Sequence, residues 1–265
     1  MTDILDNCRL ELEDRTLLAS LPDLPMKSSE WQAFSRPSEV TIEWHKTENQ
    51  GPIGSCQGNG LASILERLAF VRGQKIQLSR IFAYLASQKI DGLLGSDNGS
   101  TISAGGKLAL STGCPLESLT GYPPRYPGRS DISKILSSAN YAAGEEYKAK
   151  SIWKVPRNVD ECLDFIGGGG GISIGIAWNS GVIPSDRIIK RFGPSGRTGG
   201  HAMAVLGYTS GGNIIAANSH GDGRYEWTPE AWIQMLKHSR TAAIGLMGNE
   251  SGQPVDWYEN SPYFA

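Results

Sequence analysis

One stretch constrains this chain more than any other: Asn49-Gln50-Gly51-Pro52-Ile53-Gly54-Ser55-Cys56, followed by Leu61, Ile64, Leu65 and Leu68. Gly51, Pro52 and Gly54 forbid a helix before Cys56. After it, apolar residues at i, i+3, i+4 and i+7 predict a helix with one buried face, from about Cys56 to Arg72. The Cys56 thiol therefore falls at the junction of turn and helix. Backbone N–H groups there lack intrahelical partners, and the helix dipole is positive. Both favour the thiolate, which is the nucleophilic form. Gln50 lies six residues earlier, close enough along a folded-back loop for its amide to join the Cys56 N–H in binding an oxyanion. Gly58 and Gly60 weaken the first helical turn by up to about 1 kcal/mol each relative to Ala, which predicts close approach of another backbone or of substrate.

A histidine and an asparagine follow in the second half. His201 opens the alternating segment Gly199-Gly200-His201-Ala202-Met203-Ala204-Val205-Leu206-Gly207-Tyr208, and Asn218 lies 17 residues later in Ala217-Asn218-Ser219-His220-Gly221. These segments resemble the papain-like cysteine peptidases, whose patterns are Asn-Gln-Gly-x-Cys-Gly-Ser-Cys-Trp, His-Ala-x-x-x-x-Gly-Tyr and Asn-Ser-Trp-Gly. The resemblance spans roughly residues 36 to 248, with Gln, Cys, His and Asn in the family's order. It implies an α+β fold: a helical left lobe over about 50–150, a β-barrel-like right lobe over about 151–248, and an active site in the cleft between them. It also implies roles. Cys56 attacks a carbonyl and forms a thioester, His201 is the base and later the acid, Asn218 orients the imidazole, and Gln50 with the Cys56 N–H holds the oxyanion. Gly99 and Ser100, with Gly200 beside the histidine, fall where the family binds substrate through the main chain.

Two departures stand out. Gln57 replaces the family's Trp after the nucleophile, and His220 replaces the Trp that covers the His–Asn hydrogen bond, so that bond should be less well shielded. The family's usual cysteine also stands here as Ile53, which removes one disulfide and suits a reducing compartment. The start MTDILDNCRLELEDR lacks the basic end and apolar core of a signal peptide. A cytoplasmic location is the expectation, with virion association the alternative for a virus-encoded chain.

The rest of the chain reads around these motifs. Ile4, Leu5, Cys8 and Leu12 fit one face of a short acidic helix ended by Pro22 and Pro25, so residues 1–35 read as an N-terminal extension or a short inhibitory prosegment. Ser79 is a candidate N-cap for a helix carrying Ile81, Phe82, Leu85 and Ala86, and Ile102 to Ser111 is a third helix closed by Gly113. Gly121 to Gly128 is an irregular crossover, and Val159 to Ile166 a short helix. Strands are expected at Ile172 to Trp178, Ala202 to Tyr208, Gly212 to Ala217 and Thr241 to Met247. The aromatic tail, residues 249–265, is expected to pack on its own domain.

The 265 residues are 39% hydrophobic and 20% charged with net charge −2, which fits a globular protein and gives no reason to expect nucleic acid or an anionic membrane as partner. No run approaches the ~18 apolar residues of a membrane span. Cys8, Cys56, Cys114 and Cys162 show no metal-ligand spacing, so neither metal nor cofactor is expected. Three functions remain in view. The first is a thiol peptidase acting on peptides or proteins, with self-inhibition by residues 1–35. The second is a catalytically weak structural or binding module of the same fold. The third is another acyl-transfer enzyme, disfavoured by the presence of Gln50 and the Asn218-Ser219 pair.

Overall fold

The computed structural model describes residues 8–179, 184–194 and 198–257. Its helices are α1 (Arg15–Ser20), α2 (Ser29–Ala33), α3 (Cys56–Val71), α4 (Arg80–Asp91), α5 (Ile102–Ser111), α6 (Arg129–Ile135), α7 (Ser138–Gly144), α8 (Val159–Gly167) and α9 (Pro229–Lys237). Its strands are β1 (Ser151–Trp153), β2 (Gly171–Trp178), β3 (Ile188–Ile189), β4 (Gly199–Tyr208), β5 (Ile214–Ala217), β6 (Arg224–Trp227) and β7 (Ala242–Met247), in the sheet order β1-β7-β2-β4-β5-β6-β3. The mixed α+β architecture is the expected one. The β-rich part is an open seven-stranded sheet whose edge strands, β1 and β3, do not meet, so it does not close into a barrel.

Small side chains decide how the helical half meets this sheet. Residues two apart on a strand share a face. On β2 and β4 one face carries Ile172, Ile174, Ile176, Met203 and Val205, which join Phe165, Trp227 and Trp232 in one apolar cluster. The opposite face is built from Ser173, Gly175, Ala177, Ala202 and Ala204. With so little side chain there, α3 lies directly against the strands, and a Cβ on Gly60 would come within 3.5 Å of the Met203 carbonyl carbon. On its other side α3 meets α4: a Cβ on Gly58 would lie 2.6 Å from the Tyr84 nitrogen. Gly58 serves close backbone approach, as expected, whereas a Cβ at Gly60 would meet the β4 backbone in ordinary van der Waals contact. Cys56 through Phe70 are all buried, making α3 the central element rather than a surface helix.

Local signals placed the other helix ends. Ser79 accepts from the Phe82 N–H at 3.0 Å, and α4 ends at Gly92 with φ +73°. Thr101 caps α5 through the Ala104 N–H, and Asn158 caps α8 through Glu161. Helices α2, α6, α7 and α9 and the short strands β1, β3 and β6 have no counterpart in the sequence reading. The single helix expected across Ile4 to Leu12 does not form in its described part. Residues 8–9 pair with the body of the protein and Leu10–Leu12 is one 3-10 turn, because main-chain bonds to Gly200 and Ser100 replace the intrahelical ones. Ile4 and Leu5 lie outside the described residues. The described part of the tail, residues 249–257, packs on its own domain: the Trp257 indole donates to the Gly167 carbonyl at 2.7 Å, and Trp31 of α2 donates to the Gly252 carbonyl at 2.9 Å; residues 258–265 lie outside the described residues.

Two features of α3 carry predictions. Gln57 is 1% exposed, and neither its amide oxygen nor its nitrogen has a hydrogen-bond partner among the described residues. Its side chain lies flat against Gly105 of α5. An orphaned buried amide costs about 1–3 kcal/mol. Gln57→Met keeps the length and removes both polar atoms, so it raises the unfolding free energy by about 1–2 kcal/mol in urea titration; a fall would show the amide to be satisfied.

The second feature is the buried pair Glu66 and His45. Burial pushes the Glu66 carboxyl up to about 8, and pushes the His45 imidazole down to about 4. The Glu66 contribution is full below its ordinary value of 4.5 and is lost as pH rises through 8. The His45 contribution is full above 6.5 and is lost as pH falls through 4. Glu66→Gln keeps an oxygen for the Leu78 N–H, which Glu66 now accepts at 2.8 Å. The variant therefore loses less stability than wild type between pH 5 and 8; parallel stability curves would refute this.

Candidate active site

Cys56 is the first residue of α3 and 0% exposed. The turn before it is clamped by side chains from three directions. The Gly54 N–H donates to both carboxylate oxygens of Asp97 at 3.1 Å, and the Tyr84 hydroxyl holds the same carboxylate at 2.7 Å. Ser55 Oγ bonds the Tyr122 hydroxyl at 2.7 Å, and that hydroxyl reaches the Gln50 carbonyl at 3.0 Å. Asn59 donates back to the Ser55 carbonyl at 2.9 Å. A turn rich in Gly and Pro would otherwise sample many conformations; here it has one.

Main-chain pairing then sews this turn to the far end of the chain. The Gln50 N–H donates to the Ser219 carbonyl at 2.7 Å, and the Gly221 N–H to the Glu48 carbonyl at 2.9 Å. Asn49 and His220 form an antiparallel bridge. Gln50 and Asn218 are thereby neighbours although 168 residues separate them. Ser219 Oγ donates to Gln50 Oε1 at 2.6 Å, and Gln50 Nε2 donates to the Ile53 carbonyl at 2.9 Å. The Gln50 oxygen is thus turned towards Ser219 and its nitrogen towards the turn that carries Cys56.

His201 sits on β4, two residues before Met203, whose backbone α3 packs against one turn after Cys56. It is 0% exposed, and its Nε2 lies 2.7 Å from Asn218 Oδ1. Asn218 also donates from Nδ2 to Asp222 Oδ1 at 2.7 Å. Cover for the imidazole comes from two rings. His220 lies 4.4 Å away, centroid to centroid, inclined by 34°. Trp178 of β2, 3% exposed, lies 5.6 Å away at 38°. His220 thus stacks on the histidine at the very position where the sequence reading expected poorer shielding, and Trp178 adds an indole from a different strand.

Ser100 and Gly200 are occupied by the chain's own N-terminal segment. The Cys8 N–H donates to the Gly200 carbonyl at 2.8 Å, the Arg9 N–H to the Ser100 carbonyl at 3.0 Å, and Arg9 Nη1 to the Asn98 carbonyl at 3.0 Å. Cys8 and Ser100 form a parallel bridge. Gly99 faces inward instead: its N–H donates to the Tyr84 hydroxyl and its carbonyl accepts from Gln88. A Cβ at Gly200 would collide with the Cys8 carbonyl oxygen, so this close strap requires glycine there. Further along, the Glu13 carboxylate accepts from the Ile102 and Ser103 N–H groups at 2.7 and 3.0 Å, binding the strap to the start of α5. Burial, and next the charge of the nearby Cys56, push the Cys8 thiol well up, which keeps it protonated and inert. Cys114 and Cys162 play no part. Both are buried; burial raises the Cys114 thiol and brings Cys162 up to about 12.

Sequence reasoning did not anticipate Ser219, Asp222, Trp178, Tyr122 or Asp97. Ser219 lies within the Asn218 motif and was legible as a polar residue there; Asp222 follows just beyond it and carries no local sign of its role. Nothing in the sequence connects Asp97 or Tyr122 to the Cys56 turn. Among the described residues no group of three or more His, Cys, Asp or Glu side chains could hold a metal ion, and no helix is long and apolar enough to cross a membrane.

No protein-family model matches the chain, and no curated protein does. Solved structures do. It is similar to xylellain, a cysteine protease from Xylella fastidiosa, with 21% identity over 94% of this chain and 93% of that one and a TM-score of 0.66. It is also similar to procathepsin B S9 from Trypanosoma congolense, at 16% identity over 95% and 87% of the two chains and a TM-score of 0.64. The cysteine protease CMS1MS2 of Carica candamarcensis matches at 19% identity over 80% and 99%, with a TM-score of 0.57. The fold of this chain is that of the papain-like cysteine proteases.

Proposed function

We propose that the protein is a cysteine peptidase that cleaves peptide bonds through a thioester on Cys56. The observation that carries this reading is the buried His201–Asn218 hydrogen bond at 2.7 Å, made from β4, the strand against whose backbone the Cys56 helix lies. In this mechanism the Cys56 thiolate attacks the peptide carbonyl carbon. The oxyanion is received by the Cys56 N–H and the Gln50 amide, whose orientation the Ile53 carbonyl sets by accepting from Nε2 while Ser219 donates to Oε1. The His201 imidazolium protonates the leaving amine as the C–N bond breaks and the thioester forms. Water, deprotonated by His201, then attacks the thioester and releases the acid and the thiolate.

Residues 8–13 act as a latency strap in this proposal. Their main-chain bonds to Ser100 and Gly200 use the groups that an extended substrate would need, and the parallel pairing with Ser100 fixes their direction in the cleft. The second reading, a non-catalytic module, draws on the same observation, since a permanently held strap would leave the site without access.

Activity assays separate the two. Cys56→Ala and His201→Ala abolish turnover of a small fluorogenic peptide, and Gln50→Ala lowers kcat by about 10²–10³ with little change in KM. Equal kcat for wild type and Cys56→Ala would end the thioester mechanism. Removing residues 1–13, which leaves α1 with its Asp14 cap and α2 in place, raises turnover and speeds iodoacetamide labelling of Cys56 at neutral pH; Glu13→Ala does so to a smaller extent. No labelling in either form below the ordinary thiol range of about 8.5 would favour the module.

A further inference from the structure

We propose that Asp222 is a positioning residue that selects the tautomer of His201; the inference rests on the Cys56–His201–Asn218 machinery of the preceding reading. An asparagine side chain can present either its oxygen or its NH2 to a neighbour by rotating half a turn, so on its own Asn218 does not determine which proton state of His201 it supports. Asp222 breaks the symmetry. A carboxylate accepts hydrogen bonds and cannot donate them, so the group facing Asp222 Oδ1 at 2.7 Å must be Asn218 Nδ2. Asn218 Oδ1 then faces His201 Nε2 at 2.7 Å, and an amide oxygen accepts, so Nε2 carries the proton. The basic nitrogen of the neutral ring is therefore Nδ1. The reversed amide would set its oxygen against the carboxylate and its NH2 against Nε2, leaving the proton on the nitrogen that must take one from the thiol.

The carboxylate is itself fixed. The Tyr225 hydroxyl of β6 donates to Asp222 Oδ2 at 2.6 Å, so both oxygens are engaged and Asp222 has no free rotation. Tyr225 is 2% exposed and packs edge-on to Trp178 at 5.6 Å, and Trp178 in turn lies against His201. His201, Asn218, Asp222, Tyr225 and Trp178 thus close a ring of contacts. The Asn218 N–H donates to the Gly223 carbonyl at 2.9 Å, and Gly221 and Gly223 adopt φ of +75° and +91°, which folds the loop back so that Asp222 reaches Asn218.

The test reads the tautomer directly and needs no turnover. The full chain carrying Cys56→Ala is labelled with ¹⁵N-histidine, and ring ¹H–¹⁵N correlations are recorded at a pH where the imidazole is neutral, with His201→Gln identifying the signals. The Cys56→Ala chain shows Nε2–H. Adding Asp222→Ala gives a mixture with substantial Nδ1–H, and Asp222→Asn largely restores Nε2–H because its oxygen can still accept. In chains that keep Cys56, Asp222→Ala lowers kcat at least about tenfold while KM changes less than twofold. Tyr225→Phe speeds exchange of the Nε2 proton severalfold with the fold intact, which carries the test if Asp222→Ala fails to fold. An unchanged tautomer in folded Asp222→Ala, or unchanged proton exchange in Tyr225→Phe, overturns the proposal. A tautomer that shifts in a protein that never cleaves peptides sustains the role of Asp222 and removes the peptidase reading; full turnover with an unresponsive tautomer does the reverse.

Discussion

The close approach of α3 to the face of β2 and β4 is the constraint on which the rest of the structure depends. A helix can lie that near a sheet only where the strand side chains are small, and Gly175, Ala202 and Ala204 supply that surface. The approach sets the height of the helix, and with it that of Cys56, against β4. Gly58 repeats the device on the opposite side, where α4 presses in. The position of the Cys56 thiol is thus a packing result before it is a chemical one. A single added methyl group at Gly58 would move the helix and misplace the thiol.

Upon that frame the polar groups form a hierarchy of restraint. Backbone pairing between residues 48–50 and 219–221 brings two distant loops into register. Acceptor groups then orient side chains: the Ile53 carbonyl turns Gln50, Asp222 turns Asn218, and Asn218 turns His201. Each bond is modest by itself, about 0.5–1.5 kcal/mol net. Their value lies in direction, because each acceptor-only or donor-only group removes one ambiguity from the next. The two rings over the imidazole, His220 and Trp178, exclude water from the last bond of the series.

The N-terminal strap shares the logic of the site. It reaches the Gly200 and Ser100 carbonyls by main-chain hydrogen bonds, which ask nothing of side-chain identity, and adds Glu13 at the N-terminal N–H groups of α5, where the helix dipole welcomes a carboxylate. Leu10, 3% exposed, gives it an apolar anchor. The Cys8 and Leu10 side chains reach the small-residue face of β2 at Gly175, so the same shortage of side chains that admits α3 also makes room for the strap.

Local patterning determined a good deal by itself. Ser79, Thr101 and Asn158 announced helix starts because capping is a matter of a few adjacent residues. The glycine-rich turn before Cys56 and the alternation in Ile172 to Trp178 were legible for the same reason: their causes lie within the segment. The order Gln50, Cys56, His201, Asn218 was legible too, since each sits in a recognisable local motif. Tertiary structure alone decided the rest. Residues 8–12 read as an amphipathic face, yet the backbone partners of Cys8 and Arg9, Gly200 and Ser100, lie far away in the sequence and override the local preference. Asp222, Trp178 and Asp97 have no local signature of their roles, because a side chain that orients another across strands is defined by distance in space, and that distance exists only once α3 has settled on the sheet.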